Sequence, residues 1–205
     1  MEPRKSPGSA PGSTPGRLVT TTAALLRERG FHGAGLTEIL TASGVPKGSL
    51  YHHFPGGKSE LAAEAVRQSA AGMVAALERF ADRAGSTGAA VRAFCDRYAE
   101  DLAASDFRDG CPLAAVAAES GALHETVRRE IGAAMELLVG TFARRIAAEN
   151  PAHPDPAALA MEIVAAVEGA LLLAKALRST APLKTVSERL AGRIAAELHP
   201  RGHPA

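Results

Sequence analysis

Two cysteines, 4% aromatic residues and no run of eighteen apolar residues: these are what this 205-residue chain is short of or lacks. Each shortage excludes something. Cys95 and Cys111 supply neither a disulfide framework nor the four ligands of a structural zinc site, so no metal or other cofactor is expected. Without a long apolar run a membrane-spanning helix is not expected, and the first thirty residues carry Pro, Gly and Ser where a secretory signal would be apolar. The expectation is a cytoplasmic protein with no membrane partner. Apolar and polar residues nowhere alternate over six or more positions, which removes the pattern of a half-buried strand. What remains is 46% apolar residues, enough for a core built from many small contacts.

The formal charge of +1 conceals an asymmetry. Up to Lys58 there are seven basic residues against three acidic ones, whereas beyond it sixteen basic residues face nineteen acidic ones. A basic head therefore precedes a mildly acidic body. Such a head suits a polyanion, or else it is an ordinary tail and helix surface that happen to be basic.

Residues 1–14, with Pro3, Pro7 and Pro11 among Gly and Ser, cannot bury enough apolar surface to offset the entropy of ordering, and they read as a disordered tail. Thr14 and Pro15 make a cap and first-turn pair, after which Leu18, Thr22, Leu25 and Leu26 share a helical face until Gly30. From there the 3.6-residue period persists to the C-terminus. The fold class is all-α, about nine helices punctuated at Gly85 to Gly88, Asp109 to Pro112, Ser120 with Gly121, Asn150 to Pro156 and Ala181 with Pro182. Val91, Phe94, Cys95, Tyr98 and Leu102 share one face. Leu123, Val127, Ile131, Met135, Leu138, Phe142 and Ile146 share another, on a helix of about 25 residues. Ala157 to Ala176 is apolar nearly all round, and Leu183, Val186, Leu190, Ile194 and Leu198 form a stripe on the final helix. These two helices either close a single core or pack on their own copies in a two-fold dimer.

The stretch from Leu36 to Leu61, LTEILTASGVPKGSLYHHFPGGKSEL, is the informative one. Thr37 opens a short helix with Ile39 and Leu40 facing inward, Gly44 ends it in the left-handed conformation, and Val45 plugs the turn. Pro46 suits the first turn of a second short helix, because it lacks the amide hydrogen that would be orphaned there. Two short helices about a Gly-centred turn make a helix-turn-helix. Leu50 and Phe54 anchor the second helix, leaving Lys47, Gly48, Ser49, Tyr51, His52 and His53 for its other faces. That composition fits a helix entering the major groove, where small residues allow close approach and donors meet phosphates and base edges; a merely solvated polar helix would have it too.

Thr37, Ile39, Ala42-Ser43-Gly44-Val45, Lys47-Gly48-Ser49-Leu50-Tyr51-His52-His53-Phe54 and Lys58-Ser59-Glu60-Leu61 together resemble the DNA-binding segment of the TetR family of bacterial repressors. The resemblance covers about fifty residues. After the tail at 1–14, it implies a helix-turn-helix DNA-binding domain at 15–60 and a helical ligand-binding and dimerisation domain at 61–205 whose last two helices build a four-helix interface. Dimer contacts then fall on Leu171, Val186, Leu190 and Ile194. Thr37, Tyr51, His53 and Lys58 would meet phosphates, and Lys47, Gly48, Ser49 and His52 would lie nearest the bases. Two departures from the family pattern are Pro46, where many members have a Ser or Thr cap, and the longer Pro55-Gly56-Gly57 turn. Arg108-Asp109-Gly110-Cys111-Pro112-Leu113 and Val167-Glu168-Gly169-Ala170-Leu171-Leu172-Leu173 further resemble the LmrA/YxaF-like branch, some of whose members control drug-efflux genes. The function so implied is a ligand-responsive repressor whose partners are a near-palindromic double-stranded operator, a small-molecule inducer and a second copy of the chain. The rival is a helical ligand-binding scaffold dimer without operator binding.

Enzymatic readings fare poorly. Gly57-Lys58-Ser59 resembles the end of a phosphate-binding loop, but His52 stands where that loop needs glycine. His52 and His53 are adjacent and diverge by about 100° on a helix, so they cannot share a metal. Cys111 has no His nearby in sequence to act as its base. The large side chains Phe94, Tyr98, Met135, Phe142 and Met161, placed on inward faces of an alanine-rich body, either fill the core or line a ligand cavity, with Glu168 as the one candidate buried charge. The inducer is then mostly apolar or aromatic. The helix beginning near Lys58 is expected to carry the signal, as the sole link between head and cavity.

Overall fold

A computed structural model describes residues 12–199. In chain order it contains α1 (Thr14–Gly33), α2 (Leu36–Ser43), α3 (Lys47–His53), α4 (Gly57–Ala84), α5 (Thr87–Ala104), α6 (Pro112–Ala117), a 3-10 turn at Ser120–Ala122, α7 (Glu125–Glu149), α8 (Pro156–Leu177) and α9 (Ala181–Leu198). The all-helical class and the helix count agree with the periodicity. Most of the expected tail, residues 1–11, lies outside the described residues, and Thr14 is already helical.

The head takes its shape from a few local devices. Ser13, rather than Thr14, caps α1, its Oγ accepting the Gly16 N–H at 3.1 Å, with Pro15 in the first turn. Gly30 (φ 71°, ψ −171°) breaks α1 without ending it, and one more turn follows through Gly33. Gly44 sits in the left-handed region (φ 63°, ψ 29°), so that the Val45 N–H reaches back to the Leu40 carbonyl at 3.2 Å and closes α2. Pro46 is extended and precedes α3 as its cap instead of opening it.

Burial then joins head to body. Leu18, Ile39, Leu50, Phe54 and Leu61 of the head are continuous with Leu77, Leu102, Leu113, Phe142, Ile163 and Leu183 of the body in one apolar core. The 28-residue α4 runs through both, packing on α1, α5 and α7.

The C-terminal helices differ from the sequence reading in which face meets what. Leu190 and Ile194 are buried within the subunit on α9, which packs against α5, and Leu171 is buried as well; only Val186 of the four expected dimer contacts keeps part of its surface. The surplus apolar surface lies on α8 instead, where Met161, Leu172, Leu173 and Leu177 are 59%, 71%, 53% and 64% exposed. Ala165, Gly169 and Ala176 extend the same open surface. Glu162, Glu168 and Lys175 interrupt the apolar run, yet α8 is long and apolar enough to cross a membrane by length and composition. Its inner face is packed on α7 and α9.

Candidate nucleic-acid interface and ligand cavity

Leu50 (0% exposed) and Phe54 pin α3 to the head, and this fixes which side of the helix is left outside. Lys47, Gly48, Tyr51 and His52 are exposed there, with Ser49 and His53 half-buried at the margins. A side chain at Gly48 would meet nothing within 4 Å, so the N-terminal end of α3 is open to a close approach. Thr37 is exposed at the start of α2. The Arg29 guanidinium donates to both Glu38 oxygens, at 2.7 and 2.9 Å, and so holds α2 against α1. The result is a short polar ridge on a rigid three-helix support, of a width that the major groove of duplex DNA admits.

Lys58 stands apart from that ridge. Its Nζ lies 4.5 Å over the Phe31 ring and the residue is half-buried in the first turn of α4. Burial holds its ammonium below the ordinary lysine range, with Glu119 opposing that shift. The side chain thus stands over α1 of the head, with Glu119 of the body in its field.

A cavity of about 460 Å³ opens between α1, α4, α5 and the loop before α6. Phe94 and Tyr98 line it as an edge-to-face pair, ring centroids 4.9 Å apart, and Met73 and Phe80 face them from α4. Met135, Phe142 and Met161 are not on its wall. Met135 is half-buried on α7, Phe142 is core at 2% exposure, and Met161 belongs to the exposed face of α8, contrary to the inward placement expected for it. Glu168 is not on the wall either. It lies beside the Cys111 thiol, which in turn lies beside the Tyr98 hydroxyl. Burial raises its carboxyl above the ordinary range, and its Oε2 has no hydrogen-bond partner among the described residues.

Two ion pairs at the cavity went unread in the sequence. Arg97 and Asp101 lie 2.7 Å apart on one face of α5, an i,i+4 spacing that was legible. Arg27 of α1 and Asp109 of the α5–α6 loop, at 3.7 Å, are joined only by the fold. With Thr20, Ala23 and Ala24, Arg27 makes α1 itself a wall of the cavity. The link between head and cavity is thus not α4 alone, since α1 also packs on α6.

Burial pushes the Cys95 thiol up to about 12 and the Cys111 thiol higher still. Both stay protonated near neutral pH, which suits packing and not nucleophilic attack.

Comparison with known proteins accounts for both halves. Residues 18–65 match the family described as bacterial regulatory proteins, tetR family, and residues 87–189 match the transcriptional regulator LmrA/YxaF-like C-terminal domain. An uncharacterized HTH-type transcriptional regulator of Mycobacterium tuberculosis is 35% identical over 193 residues, covering 90% of this chain and 96% of its own. The HTH-type transcriptional regulator LmrA of Bacillus subtilis is 25% identical over 83% of this chain and 91% of its own. Among solved structures, a TetR regulatory protein from Rhodobacter sphaeroides superposes with a TM-score of 0.75 at 28% identity, covering 86% of this chain and 96% of that one. The reduced form of Escherichia coli NemR gives 0.75 at 25%, with 87% and 95% covered. With its exposed α3 ridge on a three-helix head and a helical body of the LmrA/YxaF-like type, the chain belongs to the TetR family: it is a DNA-binding transcriptional regulator and not an enzyme.

Proposed function

We propose that this regulator is a cytoplasmic homodimeric repressor released from a near-palindromic operator by a small, mostly apolar or aromatic ligand, and that it controls a neighbouring gene of the efflux or detoxification kind. The observation that carries the ligand response is the composition of the cavity wall: Thr20, Ala23, Ala24 and Arg27 belong to the first helix of the DNA head, so an occupant touches head and body at once. The exposed apolar face of α8 supports the two-fold pairing. In such a dimer the two recognition helices stand about 34 to 36 Å apart, one turn of duplex. A ligand that favours a splayed arrangement lowers operator affinity by its differential binding energy, typically about 1 to 3 kcal/mol. The gene class rests on the resemblance to the LmrA/YxaF-like branch.

The experiment is a thermal-shift screen of apolar and aromatic compounds, followed by an electrophoretic mobility shift with DNA flanking the protein's own gene. Compounds that raise the melting temperature are expected to release the DNA; stabilisation with undiminished DNA binding contradicts the repressor reading. Gly72 lines the cavity and a side chain there meets nothing within 4 Å. Gly72→Phe is therefore expected to abolish the thermal shift by those compounds and to leave operator binding intact, whereas a persisting shift places the ligand elsewhere.

On the DNA side, Thr37, Tyr51 and His53 serve phosphates in this reading, with Lys47, Gly48, Ser49 and His52 nearest the bases. His52→Ala is expected to relax base preference at one position in each half-site by about 1 to 3 kcal/mol. Thr37→Ala is expected to weaken operator and random duplex alike. Because the Lys58 ammonium is engaged over the Phe31 ring, Lys58→Ala is expected to leave the slope of log affinity against log salt nearly unchanged, while a phosphate contact would reduce it by about one. Titrations at several salt concentrations separate the two.

A further inference from the structure

We infer that Glu119, a residue of the ligand-binding domain, is a positioning residue for the DNA head, and that it is itself held in place because the segment around α6 is fastened to α1 at both ends. At the cavity end, Asp109, Gly110 and Pro112 line the cavity, and Asp109 pairs with Arg27 of α1 at 3.7 Å. Beside them Lys175 of α8 donates to the Glu28 carbonyl at 3.3 Å and lies near Gly110. At the other end Glu119 follows α6 directly. Its Oε2 accepts the backbone N–H of His32 at 2.8 Å and meets the His32 ring Nδ1.

The backbone of α1 is shaped to receive that carboxylate. Gly30 adopts φ 71° at the break in the helix, and a Cβ there would overlap Glu119 Oε1. Both the conformation and the space require glycine. The Lys58 ammonium, over the Phe31 ring, sits in the field of the same carboxylate, so the start of α4 is drawn into the cluster. Residues 30–35, which close α1 and lead into α2, are thereby tied to the body through the Glu119 side chain. The helices α2 and α3 follow directly, and their orientation depends on how that segment is fixed.

The test uses the full-length protein as wild type, Glu119→Ala and Glu119→Gln, and needs no ligand. Amide hydrogen exchange is followed across residues 30–54 and across α7, together with affinity for a duplex selected by the wild type from a random pool and for an unselected duplex. Glu119→Ala is expected to speed exchange in residues 30–54 about fivefold or more, leave α7 unchanged, and weaken the selected duplex about fivefold or more with little change on the unselected one. Glu119→Gln keeps an oxygen for the His32 N–H and is expected to recover most of both losses. Exchange that rises equally in α7 makes Glu119 a general packing residue and overturns the proposal, as does exchange in residues 30–54 unchanged in both variants. Should the wild type select no duplex, the operator reading fails and the exchange comparison alone decides for or against the positioning role of Glu119.

Discussion

Replacing Leu172 and Leu173 together with glutamate is expected to convert the protein to a monomer and to cost it about 10²-fold or more in operator affinity. These side chains are 71% and 53% exposed on α8, so charging them disturbs little within the subunit. Across the proposed two-fold axis each new carboxylate would face its own copy in an apolar, water-poor interface, where like charges cost most. A lone head would keep the contacts proposed for it but lose the second half-site, which in the proposed dimer binds at the high effective concentration set by the first. Light scattering gives the mass and a mobility-shift titration gives the affinity. A variant that stays dimeric moves the interface off this face of α8, and a monomer that binds as tightly as the wild type removes the need for two heads.

Phe142→Ala is expected to destabilise the fold by about 3 to 5 kcal/mol, the usual cost of emptying a buried phenyl site. Phe142 is 2% exposed on α7 and is the largest of the fully buried side chains. For a domain of this size the loss lowers the melting temperature by roughly 2 to 4 °C per kcal/mol, so a fall on the order of 10 °C is expected. Any weakening of ligand response in this variant then comes through the fold, because Phe142 does not touch the cavity. Thermal unfolding followed by circular dichroism checks it; a fall of only a degree or two would mean the side chain has room around it after all.

The contrast between Phe142 and Met161 shows where periodicity stops being informative. A 3.6-residue pattern identifies an apolar face but not the neighbour that covers it, so Phe142 in the core, Phe94 at a cavity and Met161 in the open all look alike in one dimension. The same limit applies to α9: Leu190 and Ile194 of its stripe are buried within the subunit, where α9 packs on α5, and α8, apolar nearly all round, carries the excess. The head was more legible because its determinants are local. Gly44 needs a left-handed turn, Val45 and Leu50 fill the space beneath it, and the polar residues of α3 are outward by subtraction. What the sequence hid are pairings made only by the fold, such as Arg27 with Asp109 and Gly30 with Glu119, where neither residue carries a sign of the other. The surroundings of the Lys58 ammonium were hidden for the same reason, since Phe31 and Glu119 become its neighbours only after folding.

Selection of binding sites from a random duplex pool by the purified full-length protein, with the stoichiometry of the selected complex measured by mass, bears most directly on the paired-head architecture. The expected outcome is an inverted repeat whose half-sites are centred about one helical turn, or a whole multiple of it, apart and are occupied by an even number of subunits. Enrichment of a single asymmetric half-site bound by one subunit, or no enrichment at all, would contradict it.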